Sequence, residues 1–335
     1  MTDTSSGSGS SGNSSISNPP LPQNYQQYLR KIGLIVSGAD GNGLDLSQMR
    51  IKFHVEGMSF GHPKIAIIRI YNLASATQNQ IKKEFTKVML QAGYENGAYG
   101  VIFQGTIKRI KSGKETAVDT FLEIQAADGD IAYNYAYVNK TLAAGSTLQQ
   151  QAQASIDAMK ATGDVTGSDT TALQSTGGVL PRGDVKFGLA AAQLDDVAAT
   201  ANCSWFIENG VVIFVSNTGY RSGDAVVLNS QTGLVGIPEA DIHGIQAICL
   251  LNPNLKVGTR VQINNSAINQ TPVNSPGFPN REQNELFADV TNDGFYRVLV
   301  LKQYGDSRGN DWYSEFTCLA LDPSAAPGSS VLAYG

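Results

Sequence analysis

Cysteine and histidine are almost missing from this chain, with three of each in 335 residues. Cys203, Cys249 and Cys318 are odd in number and far apart, which gives neither a disulfide framework nor a zinc-ligand spacing. Each is read as a small buried apolar side chain. His54, His62 and His243 stand away from the cysteines and from one another, so a metal site finds no support. Charge is scarce as well. Only 16% of residues are charged and the net charge is −5. A general nucleic-acid clamp needs a basic surface, and this balance argues against one. No run approaches the roughly 18–20 apolar residues that span a membrane. The opening segment has no basic stretch and no apolar core, so it does not read as a signal peptide, and folding in the cytoplasm is expected.

Catalytic signatures are missing too. There is no Gly-x-Ser-x-Gly elbow and no Walker A loop. The glycines of Gly38–Gly43 follow a strand, but no helix follows them to offer its N-terminus to a phosphate. Asp195, Asp196 and Glu84 could in principle supply paired carboxylates for a muramidase. Asp195 and Asp196 are adjacent on a helix and point to different faces, which reads as a solvated surface. No catalytic, cofactor-binding or metal-binding residue is nominated, and no cofactor is expected.

Strands and turns are what the chain does hold. Residues 1–24 are rich in Ser and Gly and read as a flexible tail. Arg30–Val36, Ile51–Val55, Lys64–Asn72, Lys87–Gln91, Gly100–Lys111 and Thr120–Ala127 read as strands, with one helix over Ser75–Phe85 capped by Ser75. The middle differs. Leu148, Ala152, Ile156 and Met159 share one face of a helix for which Ser146 is the cap candidate. Ala190, Leu194, Val197 and Ala201 share a face of a second helix. Thr162–Gly183 reads as a loop. Asn209-Gly210 marks a hairpin, because a type I′ turn needs positive φ at both positions. Strands return at Ile245–Leu251, Thr259–Asn264, Phe295–Tyr304 and Tyr313–Leu321, with a long polar loop over Asn265–Asp293.

The first and last thirds share an order of features. Ala66–Leu73 parallels Ala247–Leu255, and Lys87–Gln91 parallels Arg260–Asn264. Gly100–Glu115 parallels Gly294–Gly309. Phe121–Asp128 parallels Glu315–Asp322, both ending Ala-x-Asp or Ala-Leu-Asp. The identities are few, and two copies of one β unit or a chance likeness of hairpins both fit them.

The run Thr232–Ile263 resembles a signature of phage baseplate or tail hub proteins, the adaptors between tube and spike in long-tailed phages. Gly233, Gly236, Pro238, Gly258 and Val261 fall at the expected positions. Gly294–Leu321 looks like that family's closing hairpin, and Leu194–Val215 like its helix-plus-hairpin insert. The resemblance implies a mainly β fold with an α+β insert: two tail-tube-like β-barrel units flanking a small α+β domain. The implied division is a tail at 1–24, a first tube-like domain at 25–130, the insert at 131–230, a second tube-like domain at 231–325 and a tail at 326–335. It further implies a homotrimer presenting six units as a pseudo-hexameric ring. The partners it implies are the tail tube protein and the central spike, with tape-measure and baseplate wedge proteins as further candidates. The genome would pass through without specific binding, and the chain would sit at the virion tail tip with no membrane insertion. The loop Asn265–Asp293 looks like an insertion relative to shorter members. A conduit for DNA favours an acidic or neutral lining. Three other readings stay in view: the hub of a phage-like injection machine, a hub with hydrolase activity, and a receptor- or glycan-binding tip whose aromatic face would be Tyr133, Tyr135 and Tyr137.

Overall fold

The computed structural model describes residues 27–38, 42–59, 62–174, 178–241, 244–270 and 293–321. Both expected tails, His243 and most of the 265–293 loop lie outside these residues.

The first β unit comprises β1 (Arg30–Ser37), β2 (Gly43–Asp45), β3 (Ile51–Met58), β4 (Ile65–Tyr71), α1 (Ser75–Glu84), β5 (Lys87–Tyr94), β6 (Tyr99–Lys114) and β7 (Thr120–Ala127). Strand β3 shows why these segments extend. Ile51, Phe53 and Val55 are buried while Lys52, His54 and Glu56 point the other way, the two-residue period of a half-buried strand. The spatial order is β3-β4-β7-β6-β5-β1, antiparallel at every junction. Phe53 and Val55 at one end of that path share a core with Leu34 and Val36 at the other. A sheet whose first and last strands meet in one core has curled into a barrel-like unit. The seam is laced by the segment before β3: Leu46 N–H donates to the Leu34 carbonyl at 2.8 Å and Leu34 N–H to Ser47 Oγ at 3.0 Å. Helix α1 buries Ile81 in this core. Its cap is Ala74, not the expected Ser75, which is the first helical residue.

The insert comprises α2 (Asp130–Tyr135), β8 (Tyr137–Leu142), α3 (Leu148–Lys160), β9 (Gly167–Asp169), α4 (Thr171–Gln174), β10 (Asp184–Leu189), α5 (Ala190–Thr200), β11 (Cys203–Glu208) and β12 (Val211–Ser216). The helical stripes meet in one core, with Leu148, Ala152, Ile156, Ala190, Leu194 and Val197 all buried. Thr147, not Ser146, caps α3: its hydroxyl accepts from Gln150 N–H while the Gln150 side chain accepts from Thr147 N–H. Asn209 and Gly210 have φ of 53° and 75°, as the hairpin between β11 and β12 requires. The segment read as a loop over Thr162–Gly183 holds the short β9 and α4.

The second β unit comprises β13 (Val226–Leu228), β14 (Leu234–Asp241), β15 (Gly244–Leu250), β16 (Arg260–Ile263), β17 (Asn269–Gln270), β18 (Phe295–Asp306) and β19 (Trp312–Ala320). Its path is β14-β15-β19-β18-β16-β13, around a core holding Ala240 of β14 and Val226 and Leu228 of β13. The likeness between the two thirds is therefore a repeat of topology. In each unit six strands run in the same chain order and take the same spatial order: β1, β3, β4, β5, β6 and β7 answer to β13, β14, β15, β16, β18 and β19. The one reversal is that β1 pairs antiparallel with β5 while β13 pairs parallel with β16. Each long strand also carries a bulge against its closing strand, between Ile107 and Arg109 in β6 and between Val298 and Val300 in β18. Lys87 and Arg260 stay equivalent, pairing with Thr106 and Arg297 just before those bulges. Ala66 does not stay opposite Ala247. It pairs with Ala126 beside the bulge, a place that Ile245 takes opposite Cys318. The slip is by two residues, so the same side chains still face inward. The fold is thus mainly β, with an α+β insert between two barrel-like β units of one topology.

Candidate functional site

The two units share one sheet. Strand β18 pairs along its second half with β3, from Val300 opposite Met58 to Asp306 opposite Lys52. The result is an unbroken antiparallel run, β14-β15-β19-β18-β3-β4-β7-β6, with four strands from each unit. Trp312 of β19 and Leu251 reach across the join into the first core. Trp312 meets Phe53 edge-to-face at 5.4 Å. Arg50 and Asp306 pair beside it at 2.7 Å, and burial of Asp306 is outweighed by Arg50, which holds its pKa down.

The face of this run turned away from both cores is a set of cross-strand ladders. One rung crosses Lys111, Glu123, Arg69 and Lys52. Another crosses Glu56, Lys302, Glu315 and Ile248. A third crosses Gln125, Ile67, His54, Tyr304 and Tyr313. Arg69 bonds Glu123 at 2.7 Å and Glu115 at 3.2 Å, and its guanidinium holds the Glu123 carboxyl below its ordinary value. Lys302 lies 3.9 Å from Glu315. Opposite charges face each other along Lys111–Glu123–Arg69 and Glu56–Lys302–Glu315, while Lys52 stands opposite the like-charged Arg69.

A buried ionic joint holds the insert to the β units. Asp128, just past β7, accepts the N–H groups of Asn209 and Gly210, the latter at 3.0 Å. Burial pushes its carboxyl up to about 7, against the opposing pull of Lys64. Lys64 Nζ lies 3.5 Å from Glu208, which also takes a hydrogen bond from Arg221. Burial alone would raise Glu208, but Lys64 and Arg221 outweigh it and the group stays below its ordinary value. Arg297 on β18 is buried and donates to the Ser216 carbonyl at 2.6 Å. Sequence reasoning missed this joint. Its one trace was the Asp closing Phe121–Asp128, noted as a pattern without a role.

The sequence candidates fall as follows. His54 is on the outward face, 6.4 Å from the Tyr304 ring. His62 lines a small cleft with Tyr133, Asp195 and Trp205. Asp195 and Asp196 are exposed on α5, and Asp195 accepts from Trp205 Nε1 at 2.7 Å. Glu84 sits on α1, over a different core, and takes a hydrogen bond from Gln80. The structure brings no pair of these carboxylates together. The three cysteines are buried, and burial pushes the Cys249 thiol up to about 12. Tyr133, Tyr135 and Tyr137 do not alternate along a strand, because 130–135 is helical. Tyr133 stacks on Trp205, whereas Tyr135 and Tyr137 are exposed, Tyr137 pairing with Leu189 of β10, on which Val185 and Phe187 are exposed too. No group of three or more His, Cys, Asp or Glu side chains is arranged to hold a metal ion among the described residues.

This arrangement, two like β units joined through one sheet with an α+β insert between them, superimposes on solved tail proteins. A 43 kDa prophage MuSo2 tail protein from Shewanella oneidensis superimposes with a TM-score of 0.54 at 7% identity, over 88% of this chain and 99% of that one. A tail protein from Neisseria meningitidis MC58 gives 0.54 at 9%, over 88% and 97%. A chain of the Francisella PdpA-VgrG complex gives 0.50 at 8%, over 89% and 59%. No curated protein matches by sequence. Residues 31–275 match the family described as baseplate hub gp41, and the chain belongs to that family. It is a structural baseplate hub component of the virion tail.

Proposed function

We propose that three copies of this chain form a ring of six β units, joining a hexameric tail tube on one side to a trimeric central spike on the other. The single observation that carries this reading is the six-strand topology repeated within one chain and fused through β18 and β3. A chain with two like units matches six-fold and three-fold partners at once, and a ring of such chains closes by heterologous contacts. The ring encloses the ejection channel, and the genome passes without specific binding. Tape-measure and baseplate wedge proteins are the further partners. The chain acts as a structural adaptor and not as an enzyme. The same proposal divides it into units at 25–130, 131–230 and 231–325, with β13 assigned to the second unit although it precedes 231. Light scattering over a concentration series, alone and with the spike protein, tests the ring. A trimer in either condition is the expected result, and a strict monomer in both would overturn it.

A second reading rests on the exposed aromatic strip of Tyr135, Tyr137 and Phe187, each more than 60% exposed. Aromatic rings flanked by polar groups suit a sugar face. Binding on a glycan array, abolished by Phe187→Ser, would favour a receptor-binding tip; a blank array would remove this reading.

A further inference from the structure

Asp195 faces no second carboxylate across a reaction centre, yet it stands at a shaped recess. The cleft lies where the insert meets the first β unit. Tyr133 of α2, Asp195 of α5 and Trp205 of β11 line it from one side, and His62 and Pro63, between β3 and β4, from the other. Its wall is aromatic: the rings of Tyr133 and Trp205 are 5.7 Å apart and 25° from parallel. Asp195 is fixed against that wall, because its Oδ1 accepts from Trp205 Nε1 at 2.7 Å. Its Oδ2 takes no hydrogen bond from a described residue. Burial raises the Asp195 carboxyl above its ordinary value, the indole N–H opposes this, and the charge of Asp196 adds to the rise. Neither carboxylate has a cation partner among the described residues. Every lysine of the chain lies among those residues. The recess therefore sets uncompensated negative charge beside aromatic rings, and its complement is a cation.

We propose that this cleft receives the ammonium of a lysine presented by a neighbouring protein of the tail. The ammonium meets Asp195 Oδ2 at the aromatic wall, and the methylene stem lies along Pro63. An arginine suits the site less. Its fork matches a carboxylate through both oxygens, and Oδ1 is already held by the indole. A sugar suits it less still, since Trp205 is only 7% exposed and offers too little ring for a pyranose to stack on. The site lies within one copy, so it stands whether or not three copies close into a ring.

The full chain labelled at its tryptophan indole nitrogens reports on the cleft directly. It has two tryptophans, and the indole N–H of Trp205 is the donor to Asp195. The probe is butylammonium chloride, against sodium chloride at equal ionic strength. A saturable shift of the Trp205 signal is expected, with the signal of Trp312, buried in the join, unmoved. Asp195→Asn keeps an acceptor for the indole and removes the charge. It should weaken binding at least tenfold while the melting temperature holds. No saturable shift, or the same affinity in Asp195→Asn, would overturn the site. Tighter binding of butylguanidinium or methyl glucoside would overturn the choice of ligand. Assembled tails test the partner. A water-soluble carbodiimide activates the Asp195 carboxylate, a lysine amine in contact attacks the O-acylisourea, an amide forms and the urea leaves. Peptide mass spectrometry is expected to find Asp195 joined to a lysine of another chain, and tails with no such link would overturn the docking.

Discussion

At the residue scale Asp128 gives the clearest prediction. It is buried and receives two backbone donors from the hairpin turn, and desolvation lifts its carboxyl from 3.8 to about 7. Between those values the folded state holds a proton that the unfolded state releases. Stability from this group is therefore full below pH 3.8, falls as pH rises, and levels off above 7. The change amounts to a few kcal/mol, at about 1.4 kcal/mol per pH unit. Asp128→Asn removes the titration but offers a single acceptor oxygen, leaving one hairpin N–H unpaired at a cost of about 1–3 kcal/mol. The variant is expected to be less stable than the parent at pH 4, with the gap closing towards pH 8. Melting temperatures across that range check it, and a gap independent of pH would show that Asp128 does not titrate there. Gly305 makes a different point. A Cβ there would stand 2.5 Å from Cε3 of Trp312 and 2.9 Å from Cζ of Phe53. Its φ is ordinary, so the glycine is needed for close approach and not for backbone freedom. Gly305→Ala should cost about 1–3 kcal/mol by overpacking, seen as a lower urea midpoint with an unchanged slope; no shift would mean that the join is loose.

At the element scale, the strands read from alternation are those with one wet and one dry face, such as β3, β4 and β7, and their period is visible without any partner. The hairpin at Asn209-Gly210 was legible because its chemistry is local. Strands β8, β10, β13 and β14 were not. Leu234–Asp241 contains Gly236 and Pro238, which occupy an irregular stretch of β14 between Val235 and Glu239 where the ladder with β15 slips. Strand β10 alternates Val185, Phe187 and Leu189 outward against Asp184, Lys186 and Gly188, which inverts the usual apolar-in pattern. The repeat itself was legible as an order of features, because order survives when identities do not. Its residue register was not, because few identities anchor it, and the pairings that set Ala66 against Ala126 and Ile245 against Cys318 exist only once the strands are placed. The candidate site was least legible. It consists of strand edges and a sheet face, and an edge exists only once the other strands are placed. The charged side chains of the outward ladders look like any solvated strand until Arg69 meets Glu123.

At the scale of the whole molecule, the three cores are not independent. Trp312 and Leu251 come from the last third of the sequence and complete the first core. Phe206, Ile213 and Val215 come from the insert and complete the second β core. Lys64, Glu208 and Arg221 tie the same parts through buried charge, and a buried charge deprived of its partner costs about 3–5 kcal/mol. Breaking any one unit away therefore exposes apolar surface and strands an ion in the others. The full chain is expected to melt in a single calorimetric transition. Residues 25–130 made alone lose Trp312 from the pocket against Phe53, leave the β3 edge open where β18 had paired, and leave Lys64 without Glu208. Removing a buried tryptophan alone costs about 3–5 kcal/mol, a large part of the roughly 5–15 kcal/mol that holds a domain folded. That fragment should be largely unfolded or aggregated, with poor dispersion of its amide resonances. A fragment that folds cooperatively with near-parental stability would refute the coupling and make each tube-like unit an autonomous module.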